Sequence, residues 1–156
     1  MSNEFETKGV KLAKLPSDYG STGFKMFKGS ILNNVEIAYE TWGELSINND
    51  NAILLFTGLS PSSHAASSDN NKAEGWWEYM IGPNKPIDTN KHFVICINSL
   101  GSCFGSTSPA SINKANGETY GLTFPELSIE DIAKSGHAVL QTLGIDHVHT
   151  VMGPSM

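Results

Sequence analysis

Two stretches constrain this chain more than anything else in it: Ala52-Ile53-Leu54-Leu55-Phe56-Thr57 and His92-Phe93-Val94-Ile95-Cys96-Ile97-Asn98. Both are nearly unbroken apolar runs. A strand with one wet face alternates apolar and polar residues, whereas a strand covered on both faces has no need to. Two such strands in sequence imply a parallel pair with crossover cover. Thr150-Val151-Met152 is a third, shorter run of the same kind.

The flanking patterns are different. Phe24-Lys25-Met26-Phe27-Lys28 and Val35-Glu36-Ile37-Ala38-Tyr39-Glu40-Thr41-Trp42 alternate, which predicts two half-buried strands, antiparallel to each other. One helix is expected after Ser128. Its hydroxyl can accept a backbone N–H, and Glu130 and Asp131 place acids in the first turn. Ile129, Ile132, Ala133, Val139, Leu140 and Leu143 fall at helical spacing, and Gly144 ends the helix. The order predicts an α/β fold with an antiparallel N-terminal edge. Residues 1–22 read as a loose leader and residues 23–156 as one folded unit.

Charge and cysteine usage exclude several functions. Lys and Arg total 10 against 16 Asp and Glu, a formal charge of -6 with no basic patch, so nucleic acid is not an expected partner. No run approaches the length of a membrane span. Two cysteines, Cys96 and Cys103, without a secretion signal point to a reducing cytoplasm. No His, Cys and Asp cluster has metal-ligand spacing, so no metal is expected.

Three loops follow the apolar runs, where open α/β sheets build their sites. Thr57-Gly58-Leu59-Ser60-Pro61-Ser62-Ser63-His64 is either a simple Gly/Ser/Pro turn or a loop that offers a backbone N–H to an oxyanion. Ser99-Leu100-Gly101-Ser102-Cys103-Phe104-Gly105-Ser106-Thr107-Ser108-Pro109 is rich in Gly and hydroxyls, but matches no nucleotide-binding pattern. Gly153-Pro154-Ser155-Met156 is three-quarters of a Gly-x-Ser-x-Gly turn, so Ser155 is either a nucleophile or an ordinary serine. In that turn the chain order is Ser, then Asp or Glu, then His. All five histidines precede Ser155. A nucleophilic Ser155 would therefore take its base and orienting acid from beyond Met156, and the 156 residues alone are expected to be inactive.

The segments "IAYETWGEL", "GWWEYMIGPNKPIDTNKHFVICINSLGSCFGSTSPASIN", "TFPELSIEDIAKSGHAVLQTLGI" and "VMGPSM" resemble the homoserine O-acetyltransferase family of α/β-hydrolase-fold acyltransferases. The likeness runs from about Phe24 to Met156. The family is about twice this length, so the chain looks like its N-terminal part, broken at the nucleophile. "TGLSPSSHAA" and "NSLGSCFGST" look closer to the serine-acylating members, including serine O-succinyltransferases.

The resemblance implies an acyl-CoA-dependent O-acyltransferase working by a ping-pong mechanism in methionine or cysteine biosynthesis. Ser155 would carry the acyl group, and the backbone N–H groups of Leu59 and Met156 would form the oxyanion hole. Leu59, Ser60, Pro61 and Ser62 would set specificity. No cofactor is expected to stay bound, and acetyl-CoA or succinyl-CoA would be the co-substrate. The acceptor would be L-homoserine or L-serine, and the whole protein a homodimer in the cytoplasm. A plain serine hydrolase, such as an esterase, stays open because one fold supports many chemistries. So does an inactive fragment.

Overall fold

The computed structural model describes residues 8–15 and 23–155. In chain order the strands begin with β1 (Lys11–Lys14), β2 (Phe24–Lys25), β3 (Ile31–Leu32), β4 (Glu36–Trp42) and β5 (Ala52–Phe56). There follow β6 (Ile81–Gly82), β7 (Ile87–Asp88), β8 (Phe93–Ile97), β9 (Ile112–Asn113) and β10 (Glu118–Thr119). Helix α1 (Ile129–Thr142) and β11 (Thr150–Met152) complete the described elements.

A five-stranded sheet in the order β1-β4-β8-β5-β11 carries the fold. The three apolar runs form its parallel part. Ile53 pairs with Val94 on one side and with Thr150 on the other. Successive side chains of β5 and β8 point to opposite faces, and both faces are covered. Leu54, Ile95 and Ile97 join Val139 and Leu140 of α1 in one core. Ile53, Leu55, Val94 and Cys96 join Ala65, Ala66, Ile81 and the rings of Trp76 and Trp77 in the other. Unbroken hydrophobicity in the sequence is therefore cover on two sides in the fold. The second cover is the irregular crossover between β5 and β8, not a helix. Trp76 and Trp77 sit in a turn, stacked with ring centroids 5.2 Å apart.

The N-terminal edge is antiparallel, but its strands differ from those expected. Lys11–Lys14, inside the expected loose leader, pairs with β4 as the outer strand of the sheet. The alternating segment at Phe24 does not pair with β4. It closes on Ile31–Leu32 as its own hairpin, because the chain reverses at Gly29, whose φ of 92° suits glycine. The rest of the leader, residues 1–7 and 16–22, lies outside the described residues. β4 is also not half-buried. It is flanked by β1 and β8, and Ile37, Ala38, Tyr39, Glu40 and Trp42 are all buried.

Helix α1 begins as its sequence demands. The backbone N–H of Asp131 donates to Ser128 Oγ, and the Ser128 N–H donates to Asp131 Oδ2 at 3.0 Å. Such a cap is worth about 1 kcal/mol. The other Asp131 oxygen accepts the N–H of Phe27 at 2.7 Å, which ties the hairpin to the helix start. The buried face is shifted from the expected stripe. Ile132, Ser135, Gly136, Ala138, Val139 and Leu140 are buried, while Ile129 and Ala133 are exposed. The helix rests on Gly136. A Cβ built there would lie 2.5 Å from Phe56 Cζ, so a larger residue at 136 would force the Phe56 ring to shift.

Candidate active site

Strands β5, β8 and β11 run parallel, so their C-terminal ends open on one edge of the sheet. Each end feeds one of the three loops. The short β11 strand delivers Gly153, Pro154 and Ser155 beside the end of β5. Ser155 is exposed and has φ 75°, the left-handed region that a side-chain-bearing residue rarely occupies. A turn of this kind lifts a serine hydroxyl above a parallel sheet. Such backbone strain costs about 1–3 kcal/mol and is found where function holds it in place.

The loop after β5 lies against that serine. A Cβ built on Gly58 would be 3.2 Å from Ser155 Cβ and 3.6 Å from Ser155 Oγ. Gly58 is itself buried, and Leu59 beside it is 89% exposed. Ser60 is exposed, and Pro61 and Ser62 are half-buried. The structure thus brings the Gly58–Leu59 backbone and Ser155 together, with the apolar Leu59 side chain turned to solvent. Met156, expected to supply the second oxyanion N–H, lies outside the described residues. An apolar recess formed by Phe56, Ile129, Ile132, Ala133, Val151, Met152 and Gly153 adjoins the turn. It accounts for the exposed side of α1.

The hydroxyl-rich loop after β8 has a structural task. Ser106 Oγ donates to the Asn98 carbonyl at 2.7 Å and accepts the Ala38 N–H at 3.0 Å. Thr107 Oγ1 accepts the Glu36 N–H at 2.9 Å. Both hydroxyls are spent on extending the edge of β4, not on a ligand. Cys103 is exposed in this loop, and Cys96 is buried in β8. Burial, with the Glu40 charge added, pushes the Cys96 thiol far up, so it stays an inert thiol.

One polar cluster was not anticipated. Glu40 points from β4 to the face shared by Ala38 and Trp42, and is 2% exposed. His64, in the loop after β5, places Nδ1 3.0 Å from Glu40 Oε2 and Nε2 2.9 Å from the Ala73 carbonyl. Next to it, the Ser63 N–H donates to Asn98 Oδ1 at 2.6 Å, and Asn98 Nδ2 donates to the Phe104 carbonyl. The available signal was a glutamate in a strand whose neighbours Tyr39 and Thr41 point the other way.

The Trp76 indole N–H donates to the Ser62 carbonyl at 2.8 Å, and so holds the same loop from outside. Glu78 accepts the Ser67 N–H at 2.6 Å and the Gly75 N–H at 3.2 Å, and pairs with Lys85. The Ser67 amide leads in holding its carboxyl down. Burial opposes it, and the Gly75 N–H, the Ser67 hydroxyl and Lys85 add to it, bringing the carboxyl to about 2. Asp88 accepts the N–H groups of Asn84 and Asn90. Among the described residues no group of three or more His, Cys, Asp or Glu could hold a metal ion. No helix among them is long and apolar enough to cross a membrane.

A mixed sheet with an antiparallel edge, and a serine raised on a strained turn after a parallel strand, define a class of protein. Residues 51–156 match the alpha/beta hydrolase fold, and the chain belongs to that family. The chain is 64% identical, over 132 residues and 85% of its length, to a serine O-succinyltransferase of Litchfieldella anticariensis. It spans 36% of the length of that relative. Two crystal structures share its architecture at 34% identity and over 96% of the chain. One is a homoserine O-acetyltransferase from Bacillus anthracis, with a TM-score of 0.80, and the other an esterase, with a TM-score of 0.81. The chain covers 41% of each.

Proposed function

We propose that these residues are the nucleophile-bearing part of an acyl-CoA-dependent O-acyltransferase. Ser155 is its acyl carrier, and the Leu59 N–H is one donor of its oxyanion hole. The observation that carries this reading is the positive φ of Ser155 directly against Gly58. In the first step Ser155 Oγ attacks the thioester carbonyl carbon. The C–S bond breaks, the coenzyme A sulfur leaves with the serine proton, and an acyl ester remains on Ser155. In the second step the acceptor's side-chain hydroxyl attacks that ester and returns a proton to Ser155 Oγ. Backbone N–H groups aimed at the carbonyl oxygen stabilise both tetrahedral intermediates.

The base that moves these protons lies, in this reading, beyond residue 156. His64 is committed to Glu40 and the Ala73 carbonyl, and His149 Nδ1 to Thr150 Oγ1. The relatives favour L-serine as acceptor and succinyl-CoA as donor, with L-homoserine and acetyl-CoA the other pairing. Either product is an activated amino-acid ester of the kind used in cysteine or methionine synthesis, and the cytoplasm supplies both substrates. Leu59 and Ser60, exposed, and Pro61 and Ser62, half-buried, form the loop that sets the choice between them.

The test uses the protein expressed at the length of its relatives. Incubation with succinyl-CoA or acetyl-CoA and no acceptor should add one acyl mass, which Ser155→Ala abolishes. Chasing with serine or homoserine should discharge it. The similar esterase favours a second reading, hydrolysis. Rapid turnover of simple esters with no acyl adduct would establish that reading instead.

A further inference from the structure

The nucleophile reading leaves the buried Glu40–His64 pair without a task, although its position gives it one. We propose that Glu40 and His64 form a buried ion pair that positions the loop after β5, fixing the distance between the Gly58–Leu59 backbone and Ser155. This inference rests on the reading of Ser155 as nucleophile.

The geometry defines the charge state. His64 Nδ1 faces a carboxylate oxygen at 3.0 Å, and Nε2 faces the Ala73 carbonyl at 2.9 Å. Both partners are acceptors, so both ring nitrogens donate and the ring is an imidazolium. A neutral ring would leave one nitrogen's lone pair against an acceptor. Of the other groups around the ring, the Glu78 carboxylate adds a negative field, while Asn71 Nδ2, itself a donor, stands farther from Nδ1, at 3.4 Å, than Glu40 Oε2 does. Burial by itself would lower the affinity of His64 for its proton. The Glu40 bond, the Ala73 carbonyl and the charges of Glu40 and Glu78 outweigh it, and the ring titrates above its ordinary value.

The pair acts at one end of the loop. Residues 58–62 follow β5 and are held where Ser62, Ser63 and His64 reach fixed partners. Glu40 belongs to a strand flanked on both sides, so it is a rigid anchor. Glu40 Oε1 is also 3.4 Å from Ser63 Oγ, and Ser63 N–H is bound to Asn98 at the end of β8. The anchor therefore fixes the loop to two strands of the sheet that also carries Ser155. A near-attack arrangement tolerates little drift, so a slack anchor lowers the acylation rate more than it weakens donor binding.

The sign of the pH effect follows. A group whose affinity for protons is raised by folding keeps its pairing at low pH and loses it as pH rises through the folded value. The acylation rate of Ser155 should therefore fall on the alkaline side as His64 deprotonates. The experiment uses the protein at the length of its relatives, with succinyl-CoA or acetyl-CoA as the acyl donor. Single-turnover acylation is followed by intact mass across pH, and the His64 ring nitrogens by NMR. Two ring N–H groups at neutral pH are expected, and an alkaline fall in rate that coincides with loss of one of them. Glu40→Gln should move that fall to lower pH and reduce the rate about tenfold, with KM for the donor changed less than about twofold.

If Ser155→Ala abolishes the adduct but Glu40→Gln leaves the rate and its alkaline limb unchanged, the positioning role is overturned and the nucleophile stands. An adduct that survives Ser155→Ala overturns both. Should Glu40→Gln fail to fold, the unaltered protein decides alone. Coincident NMR and rate titrations support the role, and a neutral ring at pH 7 or separate titrations overturn it.

Discussion

Gly58 lies so close to the Ser155 turn that a Cβ added to it would sit 3.0 Å from the Pro154 carbonyl oxygen and 3.2 Å from Ser155 Cβ. Both are tight contacts, and one is with backbone. Gly58→Ala should therefore push the serine turn and the loop apart while leaving the core intact. An ångström of misplacement at a reacting centre can cost about a hundredfold. Acylation of Ser155 by the thioester donor should fall by about 10- to 100-fold, with the unfolding midpoint nearly unchanged. Single-turnover kinetics beside thermal unfolding would check both.

Ser155 should cost stability as it stands. Its φ of 75° is easy for glycine and strained for any residue with a Cβ. Ser155→Gly should exceed Ser155→Ala in stability by about 1 kcal/mol, and both should be inactive. Denaturant unfolding of the two variants measures the difference directly. Equal stabilities would mean that the turn relaxes when the hydroxyl is removed.

The seat of α1 on β5 gives a second packing test. With Phe56 Cζ 2.5 Å and Ile97 Cδ1 3.2 Å from the built Cβ, Gly136→Ala overfills the contact. The helix gains intrinsic propensity from alanine, worth about 1 kcal/mol. Overpacking of this kind costs about 1–3 kcal/mol, so the net change should be destabilising. Adding Phe56→Leu should recover part of the loss, which a double-mutant cycle in urea would show.

Glu78 sets an acid limb. Its carboxyl stands at about 2 in the folded chain against an ordinary 4.5, with the Ser67 amide the leading cause. A lowered value contributes stability that is present above the ordinary value and is lost as pH falls toward the folded one. The protein should therefore lose stability between about pH 4.5 and 2, and Glu78→Gln should lose less over that window. Urea midpoints across acid pH for the two proteins check the sign.

Much of the sheet was legible because cover on two faces leaves a plain mark. Ala52–Phe56 and Phe93–Ile97 bury both sides of themselves, so their sequences could not alternate. Ser128 and Asp131 were legible because a capping box needs only four residues. Lys11–Lys14 was not, since its one buried side chain is Ala13 and its lysines speak for solvent. Glu40 was not legible as a buried charge for a related reason. Its counter-charge comes from His64, 24 residues further on, and a period-two pattern cannot anticipate a partner delivered by a crossover. The turn at Ser155 was legible as a Gly-x-Ser pattern, but its strain appears only in the backbone angle.

The sheet order also governs how the chain is made. β4 and β5 follow one another in sequence, yet β8 lies between them and pairs with both. During synthesis the two earlier strands leave the ribosome with no neighbour for their facing edges. Each offers a row of unpaired N–H and C=O groups until Phe93–Ile97 emerges to fill the gap. At about 5–20 residues per second the wait is a few seconds, long enough to meet another nascent chain. The central strand is the keystone of this sheet, and it is set in place after the stones on either side.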